Sequence, residues 1–305
     1  MWRIWKRQKY LHLFVLIGLI YLFIFSFIPM FGILMAFKKY DIAMGAQGIL
    51  TSPWVGLKYF AEFFQEYSFL KLVRNTVGIS LMKLVFSFPI PILFAILLNE
   101  VRTGFFKRIV QTASYLPHFI SWVIISGMAF SFFSSGGVVN SLLKPILAEP
   151  IPFLQSPDYF WGLAVATDVW KEMGWWAIIF LAAIAGINPE LYEAAEMDGI
   201  TRLKKIWYIT LPCIKGTIIV VLILALGNLF GGGLSGSNFE QSYLLGNSLN
   251  SDRSDIIQTY VFRVGLSQGR YAYATAVGLV QSLISLVFTF GSNALSKKIS
   301  GVGLF

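Results

Sequence analysis

From Leu11 to Phe37 the chain runs 27 residues without a charged side chain. A stretch of that length leaves few folds open, because in hydrocarbon each backbone N–H and C=O must be satisfied within the segment, as a helix does. At about 1.5 Å per residue the run exceeds a hydrocarbon core of roughly 30 Å, so it is expected to tilt or kink, with Pro29 the obvious place. It is also longer than the apolar region of a secretion signal and lacks a small-residue cleavage site. It is therefore expected to be retained. Arg3, Lys6, Arg7 and Lys9 precede it.

Five further apolar runs follow, Asn75 to Leu98, Tyr115 to Phe133, Phe160 to Ile187, Ile214 to Phe230 and Ala272 to Phe290. With 56% hydrophobic and 13% charged residues and a mean hydropathy of +0.70, the chain reads as an all-α membrane protein of six transmembrane helices. We read residues 1–305 as one domain, with the first span and an outer loop in 1–70 and spans two to six in 71–298. The aromatic loop Lys38 to Arg74, with Trp54, Tyr59, Phe60, Phe63 and Phe64, is expected on the membrane surface. Residues 134–159 read as loop, and Pro117 as part of the opening turn of span three. Lys83, inside span two, is expected to face a cavity, a partner chain or a snorkelling route, its role being snorkelling, helix packing or a substrate contact. Span four is interrupted by Asp168, Lys171 and Glu172 among Trp161, Trp170, Trp175 and Trp176, which fits either an interfacial belt at its outer end or a polar, aromatic rim for sugar.

The net charge of +9 comes without a basic aromatic module, so lipid headgroups and not nucleic acid are the expected partner. With odd-numbered connections outside, the inner intervals carry thirteen Lys and Arg in 68 residues and the outer ones nine in 104. That bias places both termini in the cytoplasm. His12 and His118 are isolated in sequence and Cys213 stands alone, so no metal site and no disulfide are expected. No catalytic residues emerge. The glycines at 231–236 lack a following Gly-Lys-Ser/Thr, so the chain has no phosphate-binding loop of its own. Ser254 can cap a helix with Ile256, Ile257, Tyr260, Val261 and Val264 on one face.

Between spans four and five stands Glu193-Ala194-Ala195-Glu196-Met197-Asp198-Gly199, with Ile209-Thr210-Leu211-Pro212 nine residues on. Asn188 can cap a helix opening at Pro189, with Glu190 and Glu193 near its positive end. Gly199 suits the left-handed residue that stops it after Asp198. Thr201 can cap a second helix with Leu203, Ile206, Trp207, Thr210 and Leu211 on one face, closed by Pro212. Residues 188–212 are thus predicted to form a rigid elbow, its two alanines leaving one face free for close approach.

This pattern resembles the Glu-Ala-Ala loop of permease subunits of binding-protein-dependent ABC importers, which Glu193, Ala194, Ala195, Gly199, Ile209, Leu211 and Pro212 match in spacing. The order of spans, Tyr115-Leu116-Pro117-His118-Phe119, Asn238-Phe239-Glu240-Gln241 and the segment Tyr271 to Gly278 are similar to carbohydrate-uptake members of the polysaccharide and oligosaccharide type. The resemblance implies a multi-pass subunit of a bacterial plasma membrane, paired with a second, similar permease, two cytoplasmic ATP-binding subunits and an extracytoplasmic solute-binding protein. It implies that ATP and Mg act on the partners, and that the elbow, Asp198 included, docks on the ATPase. For carbohydrate, Trp170, Trp175, Asn238, Glu240, Gln241, Tyr271 and Tyr273 supply the aromatic faces and amide or carboxylate groups that sugar recognition needs. An ion-coupled secondary transporter, using Asp168 and Glu172, and an importer of a non-sugar solute are the competing readings.

Overall fold

The computed structural model describes residues 8–101, 104–147, 149–301 and 303; Arg3, Lys6, Arg7 and Arg102 of the charge count lie outside them. The described residues are helical with short connections, and the antiparallel bridge Lys38–Trp54 is isolated. Among the described residues five helical segments are long and apolar enough to cross a membrane, and six if the bent pair beginning at Pro157 counts as one span. The chain divides into two compact units, residues 1–66 with 261–280, and residues 67–260 with 281–305.

In the first unit the helical run Lys9–Phe37 comprises α1 (Lys9–Leu22), a wide π turn at Phe23–Phe27, one turn at Ile28–Met30 and a tighter stretch at Phe31–Phe37. The irregularity precedes Pro29 because proline lacks an N–H and its ring crowds the carbonyl four residues back, here Phe25. No residue of α1 is buried, as suits a helix in lipid. The loop that follows is folded on itself. The Lys38 ammonium donates to the Leu50 carbonyl, and α2 (Lys58–Gln65) buries Phe63. Arg270 pairs with Glu62 and lies over the ring of Tyr273.

The second unit holds α3 (Phe69–Phe86), α4 (Pro89–Glu100), α5 (Phe105–Tyr115), α6 (Trp122–Phe133), α7 (Pro157–Ala185), α8 (Pro189–Met197), α9 (Arg202–Lys205), α10 (Leu211–Gly227) and α11 (Asn238–Leu245). Then α12 (Ile257–Phe262) and α13 (Tyr271–Ser300) each run from one unit into the other. The post of this unit is α7, which packs against α3, α4, α5 and α10. Ser156 caps it, accepting from the Asp158 N–H, and Pro157 occupies its first turn. Two apolar cores run along it. One gathers Ile79, Phe160, Leu163, Leu245 and Ile256 near its start, the other Ala95, Ala177, Phe180, Ile184 and Ile214 toward its end. At Gly174 the absence of a side chain lets the Ser114 backbone lie against α7, since a Cβ there would meet the Ser114 carbonyl.

Several sequence-based boundaries need correction. Span two begins at Phe69, before Asn75, and is interrupted ahead of Pro89. Span three is not one helix opening near Pro117: α5 already starts at Phe105, the chain tightens at Leu116–Phe119, and α6 restarts behind Ser121, whose hydroxyl accepts from the Ile124 N–H. The stretch 134–159 contains a helix at Val138–Leu143, and the Asn140 amide donates to the carbonyls of Ser134 and Ile151. Ser254 does not cap α12. The Ile257 N–H donates to the Thr76 hydroxyl and the Ile256 N–H to Thr259, while Ile256, Ile257 and Tyr260 are buried as the face pattern implies.

Candidate functional site

The chain leaves α7 at 70° into α8. Asn188 accepts from the Glu190 N–H at 3.1 Å and Pro189 sits in the first turn, as expected. At the other end the Ile200 N–H reaches the Ala195 carbonyl at 2.9 Å and the Gly199 N–H the Glu196 carbonyl at 3.0 Å, with Gly199 at φ +68°. These paired bonds are the Schellman closure, which needs a left-handed residue at that place. The two arms are then tied by Lys205 to Glu196 at 2.6 Å and by Tyr192 to Thr210, hydroxyl to hydroxyl, at 2.9 Å. The bond and charge of Lys205 hold the Glu196 carboxyl below the usual carboxylate range.

The second arm differs from expectation in three ways. Thr201 makes no side-chain cap. Pro212 does not close the helix, which continues from Arg202 to Gly227 through a π turn at Ile206–Thr210. Pro212 lacks an N–H and would press on the Tyr208 carbonyl, and the widened turn makes room for it. The extra residue in that turn shifts the register. Ile206, Ile209 and Leu211 pack on the core, whereas Leu203 and Trp207, assigned by periodicity to the same face, stand 71% and 68% exposed. The paired alanines do not form one open face either. Ala195 is only 3% exposed, turned inward, while Glu193, Ala194, Asp198 and Gly199 face outward.

Farther along α7 lie two charge networks. Lys83 of α3 stands 3.3 Å from Asp168, each 1% exposed. Its ammonium donates to the Ser237 hydroxyl at 2.6 Å, which in turn donates to Asp168 at 2.6 Å. Lys83 therefore serves helix packing, facing an internal carboxylate that solvates it and not a cavity or a snorkelling route. Beside this pair the Lys171 ammonium lies 3.2 Å from Glu172, whose second oxygen meets Nδ1 of His118 at 2.7 Å. His118 is thus not isolated, and its ring also stacks on Trp175. Asp168, Lys171 and Glu172 do not interrupt α7; they lie at its middle, buried and paired.

The sugar candidates scatter. Trp170 borders an apolar groove of about 310 Å³ with Ile125, Met128 and Phe132, and Trp175 is partly exposed beside His118. Asn238 and Gln241 are buried and use their amides internally, Asn238 on Ser80 and Phe230, Gln241 on Ala164 and Thr167. Glu240 on the same helix is half-buried. In the other unit Tyr271 meets Tyr40 edge-on, and Tyr273, fully buried, packs on Tyr59. Sequence reasoning missed His118 and Ser237. The spacing of Asp168 and Glu172, one helical turn apart, was the local signal that a polar face existed.

Residues 87–301 match the family described as binding-protein-dependent transport system inner membrane component. Protein LplB of Bacillus subtilis is 46% identical over 301 residues, covering 98% of this chain and 92% of the relative. The polygalacturonan/rhamnogalacturonan transport system permease protein YteP of the same organism is 44% identical over 98% of this chain and 91% of its own length. Among solved structures, a bacterial ABC transporter involved in import of the acidic polysaccharide alginate aligns with a TM-score of 0.89 and 39% identity, covering 98% of this chain and 99% of that one. A bacterial alginate ABC transporter in complex with an alginate pentasaccharide-bound periplasmic protein aligns with the same TM-score at 37% identity, over 100% and 99%.

Proposed function

This chain belongs to the family of binding-protein-dependent transport system inner membrane components, and from that membership we propose that it is one permease subunit of an ATP-driven importer of oligosaccharides in a bacterial plasma membrane. An extracytoplasmic solute-binding protein delivers the sugar. A second permease completes the channel, and two cytoplasmic subunits bind ATP and Mg and do the hydrolysis. YteP names polygalacturonan and rhamnogalacturonan and the solved transporter the acidic polysaccharide alginate, whereas the less similar AraP names arabinooligosaccharides; an oligosaccharide of an acidic polysaccharide is the cargo assigned here. Residues 1–305 act as one permease domain, with both termini and the elbow on the cytoplasmic side.

The observation that carries this reading is the elbow itself. Its bend, its Schellman corner and its two ties make a stiff projection, and its exposed residues include Glu193, Ala194 and Asp198 on the first arm and Leu203, Trp207 and Tyr208 on the second. Small, acidic and large apolar groups on one projection form a surface for another protein, with carboxylates for its basic side chains. A rigid projection is what transmits displacement; a soft loop would absorb it.

The test is co-purification with the ATP-binding subunits and uptake of labelled oligosaccharide. Glu193→Arg combined with Ala194→Trp should abolish both while the chain remains in the membrane, and undiminished co-purification and uptake would reject the docking role. Ala195→Trp is the wrong variant for this purpose, since Ala195 is interior and its replacement tests folding.

A further inference from the structure

A helix interrupted at membrane depth leaves backbone groups that protein or water must satisfy. Ahead of the apolar segment Trp122–Leu143 the helical run from Phe105 is interrupted at residues 116–121, and the break lies beside Lys171 and Glu172, which stand halfway along the 29 residues of α7. The Lys171 ammonium donates to the carbonyls of Pro117 and His118, closing the break from the side. Glu172 balances that charge, and its other oxygen takes Nδ1 of His118. His118 is thereby held twice, by its own carbonyl and by its ring, to two adjacent residues of α7. Its imidazole lies flat on the Trp175 indole, centroids 4.2 Å apart and planes within 1°, and Phe119 meets both rings edge-on at 5.4 and 5.5 Å. What this framework leaves outermost is aromatic. Phe119 is 71% exposed and Trp175 37%.

Lysine, glutamate and histidine gathered within an apolar helical bundle face its interior or a water-filled cavity and mark a functional place by default. We propose that this break is a preformed stacking station on the transport path, in contact with water. His118 is its positioning residue, fixing Trp175 and Phe119 so that they take the apolar face of a pyranose ring of the cargo. The proposal rests on the importer reading above and adds to it a residue and a place.

Two experiments on the assembled complex test it. In a Cys213→Ala background, Phe119→Cys should react with a sulfonated, membrane-impermeant maleimide, whereas Leu19→Cys on α1 should not; Leu116→Cys is the second probe if Phe119→Cys fails to assemble. Labelling no greater than at Leu19→Cys overturns the hydrated break. In proteoliposomes supplied with short galacturonate oligosaccharides and the loaded binding protein, His118→Ala should lower sugar imported per ATP about three- to tenfold, the scale of one lost aromatic pairing. His118→Phe, which keeps a flat ring, should recover part of the ratio. Equal falls in hydrolysis and uptake, or an unchanged ratio, overturn the positioning role. A wild-type complex that imports none of these sugars overturns the function proposed above, while the labelling still decides whether the break is wet.

Discussion

Gly199 and Lys83 mark the two ends of what a single residue reveals. At Gly199 the left-handed backbone is demanded by bonds within six residues, so the position was legible from Glu196, Asp198 and the helical pattern before it. A side chain there costs about 1–2 kcal/mol, more for a β-branched one. Gly199→Val should therefore loosen the corner and reduce co-purification of the ATP-binding subunits roughly tenfold, with Gly199→Asn much milder. Lys83 was visible as an anomaly but not its answer, because Asp168 lies 85 positions away and Ser237 farther still. Removing one member of a buried pair strands the other, at about 3–5 kcal/mol, while replacing both by apolar groups is often neutral. Thermal unfolding in detergent should show Lys83→Met strongly destabilised, and Lys83→Met with Asp168→Leu near the parent.

Elements were legible where local chemistry decides them and misread where a distant constraint does. The first arm of the elbow, from Asn188 to Gly199, follows its caps. The second arm does not follow its periodicity, because Pro212 acts backward on the preceding turn and the widened turn at 206–210 rotates everything before it. Span three was misread for a similar reason. Its apolar count is continuous, yet Pro117 and the Ser121 cap divide it, and the charge that stabilises the division comes from α7. The tie between the arms makes a prediction about acid. Glu196 titrates below its unfolded value when folded, so its contribution is present above the unfolded carboxyl range and is lost as pH falls through the depressed value. Hydrogen exchange of amides at 196–205 should accelerate in that acidic window in the parent, and a Glu196→Gln variant should show no such step.

At the scale of the molecule, hydropathy and charge bias were enough to read an all-helical membrane protein, since bilayer physics allows few alternatives. The division into two units was not read, nor the dense packing around α7. That helix spans about 43 Å at 1.5 Å per residue. Met197→Cys, beyond its end, and Ser248→Cys, in the segment tied by Asn247 and Asn250 to Leu154 ahead of its start, should therefore be labelled by an impermeant thiol reagent from opposite sides, Met197→Cys from the cytoplasmic one. Labelling of both from one side would overturn the orientation proposed here. Since α7 has no internal joint and carries the Asp168 clasp, the His118 station and the root of the elbow, it works as a crankshaft. A displacement of the projecting arm therefore reaches the Lys83–Asp168 pair and the Lys171–Glu172 pair through one unbroken rod.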